Sequence, residues 1–391
     1  PLKENYEKPA IIIANHQSHI DLMLMMLLHP KVLILTNRRN YTHPFYGKAL
    51  QYADFIPSDM GYEDMLGELK ELINDGYSFM IFPEGHRNDD GKIKRFHQGA
   101  FYLAEKLHVD ILPIIIHGQN QLLKKSEFFL KRGSITTKFL PRINMSEHTF
   151  GKDLREQTKG INKWFRKEYA LVREEFETVD YWADYIKKNF IYKGPVLEWY
   201  TKIKIGLEDN YRVFNEIIPR ECTITDLGCG YGYLDFMLCL VSEKRTVQAI
   251  DYDAEKIAVA NNCAIKTDKI EFIAADITQV ELQPSDVFIL NDVLHYLPKK
   301  QQTETIEKCL QKTNAGGMII IRDSDTTLKN RHLGTLLSEF FSTNLGFNKT
   351  ANKLEFVSRT MIEELAKCHK LQLEIIDKKK MNSNLIYLLR K

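Results

Sequence analysis

Between Pro9 and Asn144 the chain alternates short β-branched runs with stretches whose apolar residues recur every three or four positions. The runs are "AIIIAN", "KVLILT", "YSFMIF", "ILPIII" and "SITTKFL", and the helical stretches include Tyr62 to Asn74 and Gln98 to Leu107. Short apolar runs bounded by turn signals predict buried strands, and their alternation with helices predicts an α/β fold. Ile161, Trp164, Phe165, Tyr169, Val172 and Phe176 then share one helical stripe, which predicts an amphipathic helix closing a first unit. We expect the division to fall between residues 1–177 and 178–391. The segment "DYWADYIKKNFIYKGPV" that follows is too aromatic for a free linker. A second series starts at "CTITDLGCGYGYLDFML" and runs through "TVQAIDYD", "IEFIAADI", "DVFILNDVL", "GGMIIIRDSD", "LQLEIID" and "NLIYLLRK". Strand and helix signals in this order predict a doubly wound, Rossmann-like sheet.

Composition narrows the possible partners. A chain of 391 residues with 44% hydrophobic content has material for two or three domains. Its formal charge of +2 supplies no overall basic field, so nucleic acid is not expected as a partner. The longest apolar runs, Leu22 to Leu28 and Ile111 to Ile116, fall well short of the roughly 20 residues a spanning helix needs. All six cysteines lie in the second half without a CxxC pair, which predicts reduced thiols in a cytoplasmic setting and no metal site. The chain opens at Pro1 and enters a strand almost at once, so we expect it to be a piece of a longer protein.

In "IIIANHQSHIDLMLM", His16 follows the first strand, and Ser18 with Asp21 forms an S-x-x-D capping box for the next helix. Five residues along a continuous helix turn through about 140°, so His16 and Asp21 meet only if His16 precedes the helix. A loop imidazole held by a first-turn carboxylate has a fixed tautomer and serves as a general base toward a hydroxyl. Alone, such a pair is more often structural than catalytic. Downstream, "FMIFPEGHR" ends a strand in a turn carrying Glu84, Gly85 and Arg87, and an arginine there suits a phosphate or carboxylate.

Taken in order, "NHQSHID", "FPEGHR" and "ILPIIIHG" resemble the lysophospholipid acyltransferase family, which includes the 1-acylglycerol-3-phosphate acyltransferases, over about residues 9–145. The resemblance implies His16 as general base, Asp21 as its orienting partner, and Glu84, Gly85 and Arg87 in the acyl-acceptor site. The acyl donor it implies is acyl-CoA or an acylated acyl carrier protein. Two positions depart from the family pattern. Pro57 and Ser58 stand where an arginine is common, and His86 stands where a threonine usually precedes Arg87. Arg38 and Arg39 either compensate or form a solvated basic turn. The segment "QLLKKSEFFLKRGSITTKFLPRI" mixes lysines and arginines with Leu and Phe, which suits either peripheral contact with anionic lipid or an ordinary amphipathic loop.

In the second series, "TITDLGCGYG" places Asp226, Gly228, Gly230 and Gly232 between a strand and a helix. The spacing is G-x-G-x-G, and an acidic residue there would repel a pyrophosphate but attract a sulfonium or ammonium group. Asp251, nineteen positions beyond Gly232, suits a ribose diol; Asp276 suits an adenine amine; Asn291 lies at the carboxyl edge of the next strand. As a set these motifs resemble class I S-adenosylmethionine-dependent methyltransferases over about residues 180–391. The resemblance implies cofactor contacts at all seven positions. His295 and Asp323 are candidates for the methyl-acceptor site, with plain family architecture and helix capping as their alternatives. The stretch Arg331 to Phe356 is expected to form a lid over the acceptor.

The whole therefore reads as a bifunctional lipid-modifying enzyme that transfers an acyl group to a lysophospholipid-like hydroxyl and a methyl group to a lipid-like acceptor. Alternatives are a non-phosphate acceptor, such as a phenolic or ornithine-type aminoacyl lipid, or a methyltransferase fold that only binds S-adenosylmethionine. The domain pair resembles the cytoplasmic end of proteins that begin with an MMPL-type exporter. That resemblance implies a location at the inner face of the plasma membrane.

Overall fold

The computed structural model describes residues 6–36, 55–57, 62–88, 90–126, 129–207, 210–324, 354–377 and 384–391, with Glu4, Tyr41, Thr42, Lys48 and Tyr52 besides. The chain divides into two compact units, residues 1–176 and 177–391.

The first unit contains strands β1 (Ala10–Ala14), β2 (Val32–Thr36), β3 (Ile56–Pro57), β4 (Ser78–Ile81), β5 (Asp110–His117) and β6 (Thr136–Phe139). Its helices are α1 (Ile20–Met26), α2 (Tyr62–Asn74), α3 (Gly99–Leu107), α4 (Gln119–Leu122) and α5 (Leu154–Phe176). The sheet order is β3-β2-β4-β1-β5-β6, parallel except for β6. Every residue of β1 is fully buried, because a central parallel strand is covered on both faces. Ile11 and Ile13 join a core with Phe101 and Phe165, while Ala10, Ile12 and Ala14 face Met25 and Ile34 on the other side. Helix α5 closes the unit, burying Ile161, Phe165, Tyr169 and Val172 on one stripe as its period predicts. The decisive feature for chemistry is that β4 lies beside β1, so the loops leaving their carboxyl ends are neighbours.

The second unit opens with helices α6 (Val179–Asn189), α7 (Pro195–Leu207) and α8 (Asn210–Ile217). The aromatic segment that argued against a linker is thus helical. Strands β7 (Cys222–Leu227), β8 (Arg245–Asp251), β9 (Ile270–Ala274), β10 (Ser285–Asn291), β11 (Thr313–Ser324), β12 (Gln372–Ile376) and β13 (Asn384–Arg390) form a sheet of order β12-β13-β11-β10-β7-β8-β9. Helices α9 (Tyr233–Val241), α10 (Ala254–Asn261), α11 (Lys299–Lys312) and α12 (Arg359–Cys368) connect them. Strand β13 runs antiparallel to both neighbours, and the strand order reverses direction at β7. A doubly wound sheet binds its ligand at that switch point, outside the carboxyl ends of the strands. Both sheets confirm the expected mixed α/β class. The proposed lid lies almost wholly outside the described residues, as do Arg38, Arg39 and Ser58. Among the described residues no helix is long and apolar enough to cross a membrane.

Candidate active sites

His16 sits in the loop between β1 and α1, with its ring stacked on Phe82 at a centroid distance of 4.0 Å. Its Nδ1 lies 3.0 Å from Asp21 Oδ2. The same oxygen accepts the backbone N–H groups of Gln17 at 2.7 Å and Ser18 at 2.9 Å. A carboxylate already receiving two N–H donors is an acceptor, so Nδ1 of His16 carries the proton and Nε2 is left basic. Burial pushes the His16 pKa below its ordinary 6.5 against the upward pull of Asp21, with Arg87 and His86 adding to the downward shift. The imidazole is accordingly neutral near pH 7.

The expected capping box is only half formed. Asp21 reaches back to the Ser18 N–H, but Ser18 Oγ accepts from Ile20 N–H and donates to the Leu123 carbonyl at 2.6 Å. The side chain of Asn15 exchanges two 2.8 Å bonds with the backbone of Ile116, extending the β1–β5 ladder one residue toward His16. Gln17, buried, meets the Tyr169 hydroxyl of α5. The loop carrying His16 is therefore held from three sides.

Glu84 corrects an expectation. Rather than facing an acceptor, its carboxylate is 1% exposed and turned inward. Oε1 accepts the His16 backbone N–H at 2.9 Å, while Oε2 accepts the Lys94 N–H at 2.7 Å and the Asn88 amide at 3.2 Å. It positions the backbone of His16. Burial raises its pKa to about 7, opposed by the Lys94 and His16 N–H bonds. Gly85 adopts φ +74°, and a Cβ there would press on the His97 ring at 3.2 Å. Arg87 is half-buried and its guanidinium contacts Nδ1 of His19, a neighbour that sequence reasoning did not single out. Burial and then Arg87 push the His19 pKa down.

In the second unit Gly228, Gly230 and Gly232 all take positive φ, at +85°, +58° and +75°. A Cβ on Gly228 would lie 2.5 Å from Val293, and one on Gly232 2.4 Å from Phe272, whereas one on Gly230 would meet open space. The first and third glycines serve packing; the second presents bare backbone outward. Asp251 Oδ2 accepts the Gly230 N–H at 2.8 Å and Oδ1 the Asp253 N–H at 2.9 Å. Asp226 is buried under the loop, and its Oδ1 has no hydrogen-bond partner. An acidic floor with backbone exposed above it fits a cationic ligand with no phosphate, as S-adenosylmethionine is.

The remaining expected contacts are engaged within the chain. Asp276 is exposed and accepts both the N–H and hydroxyl of Thr278 at 2.8 Å, closing its own turn. Asn291 Oδ1 accepts from buried Arg322 at 3.3 Å, and Arg322 also pairs with Asp292. His295 and Asp323 do come together: His295 Nδ1 lies 2.8 Å from Asp323 Oδ1, and the His295 backbone N–H donates to Oδ2 at 3.2 Å. Both are at most 2% exposed, and "LHY" is a 3-10 turn rather than a helix. Asp235, on α9, lies beside Asp226 and was missed. Its signal was legible, since it is the one charged residue in "YLDFMLCLV".

Residues 2–117 match the family model described as Acyltransferase, and residues 218–381 match that described as Methyltransferase domain. The chain is 30% identical over 155 residues to a 1-acyl-sn-glycerol-3-phosphate acyltransferase of Limnanthes alba, covering 38% of this chain and 55% of that protein. It is 26% identical over 152 residues to the human 1-acyl-sn-glycerol-3-phosphate acyltransferase beta, covering 37% and 55%. The chain thus spans about half the length of these curated relatives. Among solved structures, an O-methyltransferase family 2 protein from Planctomyces limnophilus in complex with apigenin aligns at TM-score 0.37 and 19% identity, over 46% of this chain and 56% of that one. The N-methyltransferase NodS from Bradyrhizobium japonicum aligns at TM-score 0.33 and 17% identity, over 44% and 86%. The first unit thus carries a match to the acyltransferase family and is similar to the 1-acylglycerol-3-phosphate acyltransferases, and the second carries a match to a methyltransferase domain.

Proposed function

We propose that the chain is a bifunctional lipid-modifying enzyme that acylates a lysophospholipid-like hydroxyl and methylates a lipid-like acceptor. The observation that carries the acyl-transfer half is the His16 Nδ1 to Asp21 Oδ2 pair at 3.0 Å, in a loop whose backbone is anchored by Glu84. His16 Nε2 takes the proton of the acceptor hydroxyl as its oxygen attacks the thioester carbonyl of acyl-CoA or acyl carrier protein. A C–O bond forms, the C–S bond breaks, and the departing thiolate takes the proton back from His16. Arg87 holds the acceptor's phosphate, which requires it to exchange its contact with His19 for the phosphate oxygens.

The methyl-transfer half rests on the glycine loop and its acidic floor. Asp251, which accepts the Gly230 N–H, would hold the ribose hydroxyls, and Asp226 would offset the positive charge. S-adenosylmethionine, when bound, supplies an activated methyl group. Positioning of the acceptor accounts for much of the rate of such an in-line displacement. The enzyme works at the inner face of the plasma membrane, in peripheral contact with lipid and downstream of an MMPL-type exporter in a longer chain. Phe129 and Leu130, 84% and 69% exposed beside Lys131 and Arg132, support the lipid contact.

The test is transfer of labelled acyl groups from acyl-CoA and acyl carrier protein to lysophosphatidate in mixed micelles, with the parent chain and His16→Ala compared. Transfer by the parent and its loss in the variant are expected. A folded parent that acylates no lysophospholipid overturns this acceptor class. Labelled methyl from S-adenosylmethionine is expected in extractable lipid; tight binding without turnover would reduce the second domain to a binding module.

A further inference from the structure

Under the glycine loop lie two carboxyl groups with an unusual shortage of partners. Asp226 ends β7 two residues before Gly228 and is 3% exposed; Asp235, in the first turn of α9, is fully buried. Asp226 Oδ1 and both oxygens of Asp235 meet no donor from any other described residue, and the two side chains lie within hydrogen-bonding reach of each other, which needs a proton between them. Two isolated carboxylates in that position would each cost several kcal/mol in desolvation and repel each other besides.

The surroundings offer no relief. In register with Asp226 on either side stand Ala249 and Ile289, both apolar. Asp251 adds a third acidic group that bears on Asp226, and the thiols of Cys229 and Cys239 are pushed up by burial and then by Asp235. Helix α6 packs on α9, burying Trp182 and Ile186, while its exposed Asp180 and Asp184 engage Arg212 and Lys187. Lys256 of α10 bears on Asp251, Asp253 and Cys229.

We infer that Asp226 and Asp235 are an acid pair that retains one proton in the free protein and releases it to solvent when a sulfonium and ammonium ligand binds across the loop. The inference rests on the reading of this domain as an S-adenosylmethionine site. Asp235 is a positioning residue that acts through Asp226: with the pair singly protonated, the floor carries one negative charge, and with the proton lost it carries two. Burial pushes Asp226 well above the usual carboxylate range, with Asp235 and Asp251 raising it further, and burial brings Asp235 to about 7. The charge of the ligand lowers the affinity of the pair for its proton. Ligand affinity therefore climbs with pH by up to roughly tenfold per unit until the free protein has itself lost the proton, and is flat above that.

Titration calorimetry of S-adenosylmethionine into the full chain tests this, run between pH 6 and 8.5 in two buffers of different ionisation enthalpy. The ligand's own amine titrates near 7.7–8.0, so the readout is the difference between the parent and Asp235→Asn. The parent is expected to release up to one proton more per ligand near pH 7, and D235N to lose the rise in affinity. Asp226→Asn is the second variant should D235N not fold, and is expected to abolish the same proton release. Equal proton release by parent and folded variants overturns the inference. Absence of binding to a folded parent overturns instead the S-adenosylmethionine reading beneath it.

Discussion

Glu84 Oε1 accepts the backbone N–H of His16 at 2.9 Å across 68 residues of sequence. The contact exists because β4 pairs with β1, placing the two loops side by side. It fixes the backbone of His16, whereas Asp21 fixes its ring.

Glu84→Gln puts an amide N–H₂ where the carboxylate now meets only N–H donors. We expect the kcat for acyl transfer to fall roughly 10²-fold or more, as mispositioned catalytic groups do, with the acceptor KM little changed. A fall confined to KM would return Glu84 to the acceptor surface.

Asp21→Asn replaces the charged acceptor of the His16 Nδ1 proton by a neutral amide whose N–H₂ group competes for the same place. General acid–base catalysis is worth roughly 10²–10⁴-fold, and kcat should fall within that range while thermal stability changes much less than activity. Retention of full kcat would show that His16 works without an orienting partner.

Acyl transfer should lose activity in acid in two steps. Glu84, raised to about 7, gains a proton first and loosens its hold on the His16 backbone; His16, lowered below 6.5, protonates later and loses its basic nitrogen. In kcat/KM profiles E84Q should retain only the lower step. The sign for stability is opposite for the two groups. A raised Glu84 contributes stability that is full below 4.5 and lost as pH rises through about 7, a difference of about 3 kcal/mol at 1.36 kcal/mol per unit. The lowered His16 contributes stability above 6.5 that is lost as pH falls. Urea titrations from pH 4.5 to 8 on parent and E84Q read the Glu84 part.

The three loop glycines should separate by substitution. Gly228→Ala and Gly232→Ala drive a Cβ into Val293 and Phe272 and should unfold or strongly destabilise the second domain. Gly230→Ala meets no atom, so it should cost about 1 kcal/mol for its left-handed backbone while weakening S-adenosylmethionine binding by blocking close approach. Equilibrium denaturation and ligand titration on the same variants distinguish the two behaviours.

Arg245 is a structural prediction of another kind. Fully buried, it donates to the carbonyls of Pro219, Leu238, Asn215 and Ile218 and to the Asn215 side chain. Arg245→Met keeps the length and abandons those acceptors, so it should destabilise the second domain by at least about 3 kcal/mol in chemical denaturation. The first domain's acyl transfer should be unaffected at temperatures where the second remains folded.

The order of strands and helices, the two α/β units, and the positions of "NHQSHID", "FPEGHR" and "DLGCGYG" followed from the sequence alone, because alternation, period and turn chemistry are local properties of a chain. Asp21 as partner to His16 was equally legible, being five residues away and workable only with His16 outside the helix. What the sequence could not show was which distant groups share a site. Glu84 turned inward to His16, Asp235 beneath Asp226, Arg322 against Asn291 and Asp292, and Asp323 beside His295 are all products of strand order and of how a helix start folds over its own strand. Those placements depend on the burial of whole sheet faces. Only the tertiary structure settles which polar groups are carried into the interior with them, and there each buried carboxyl must find donors, as Glu84 does, or keep a proton, as we infer for the Asp226–Asp235 pair.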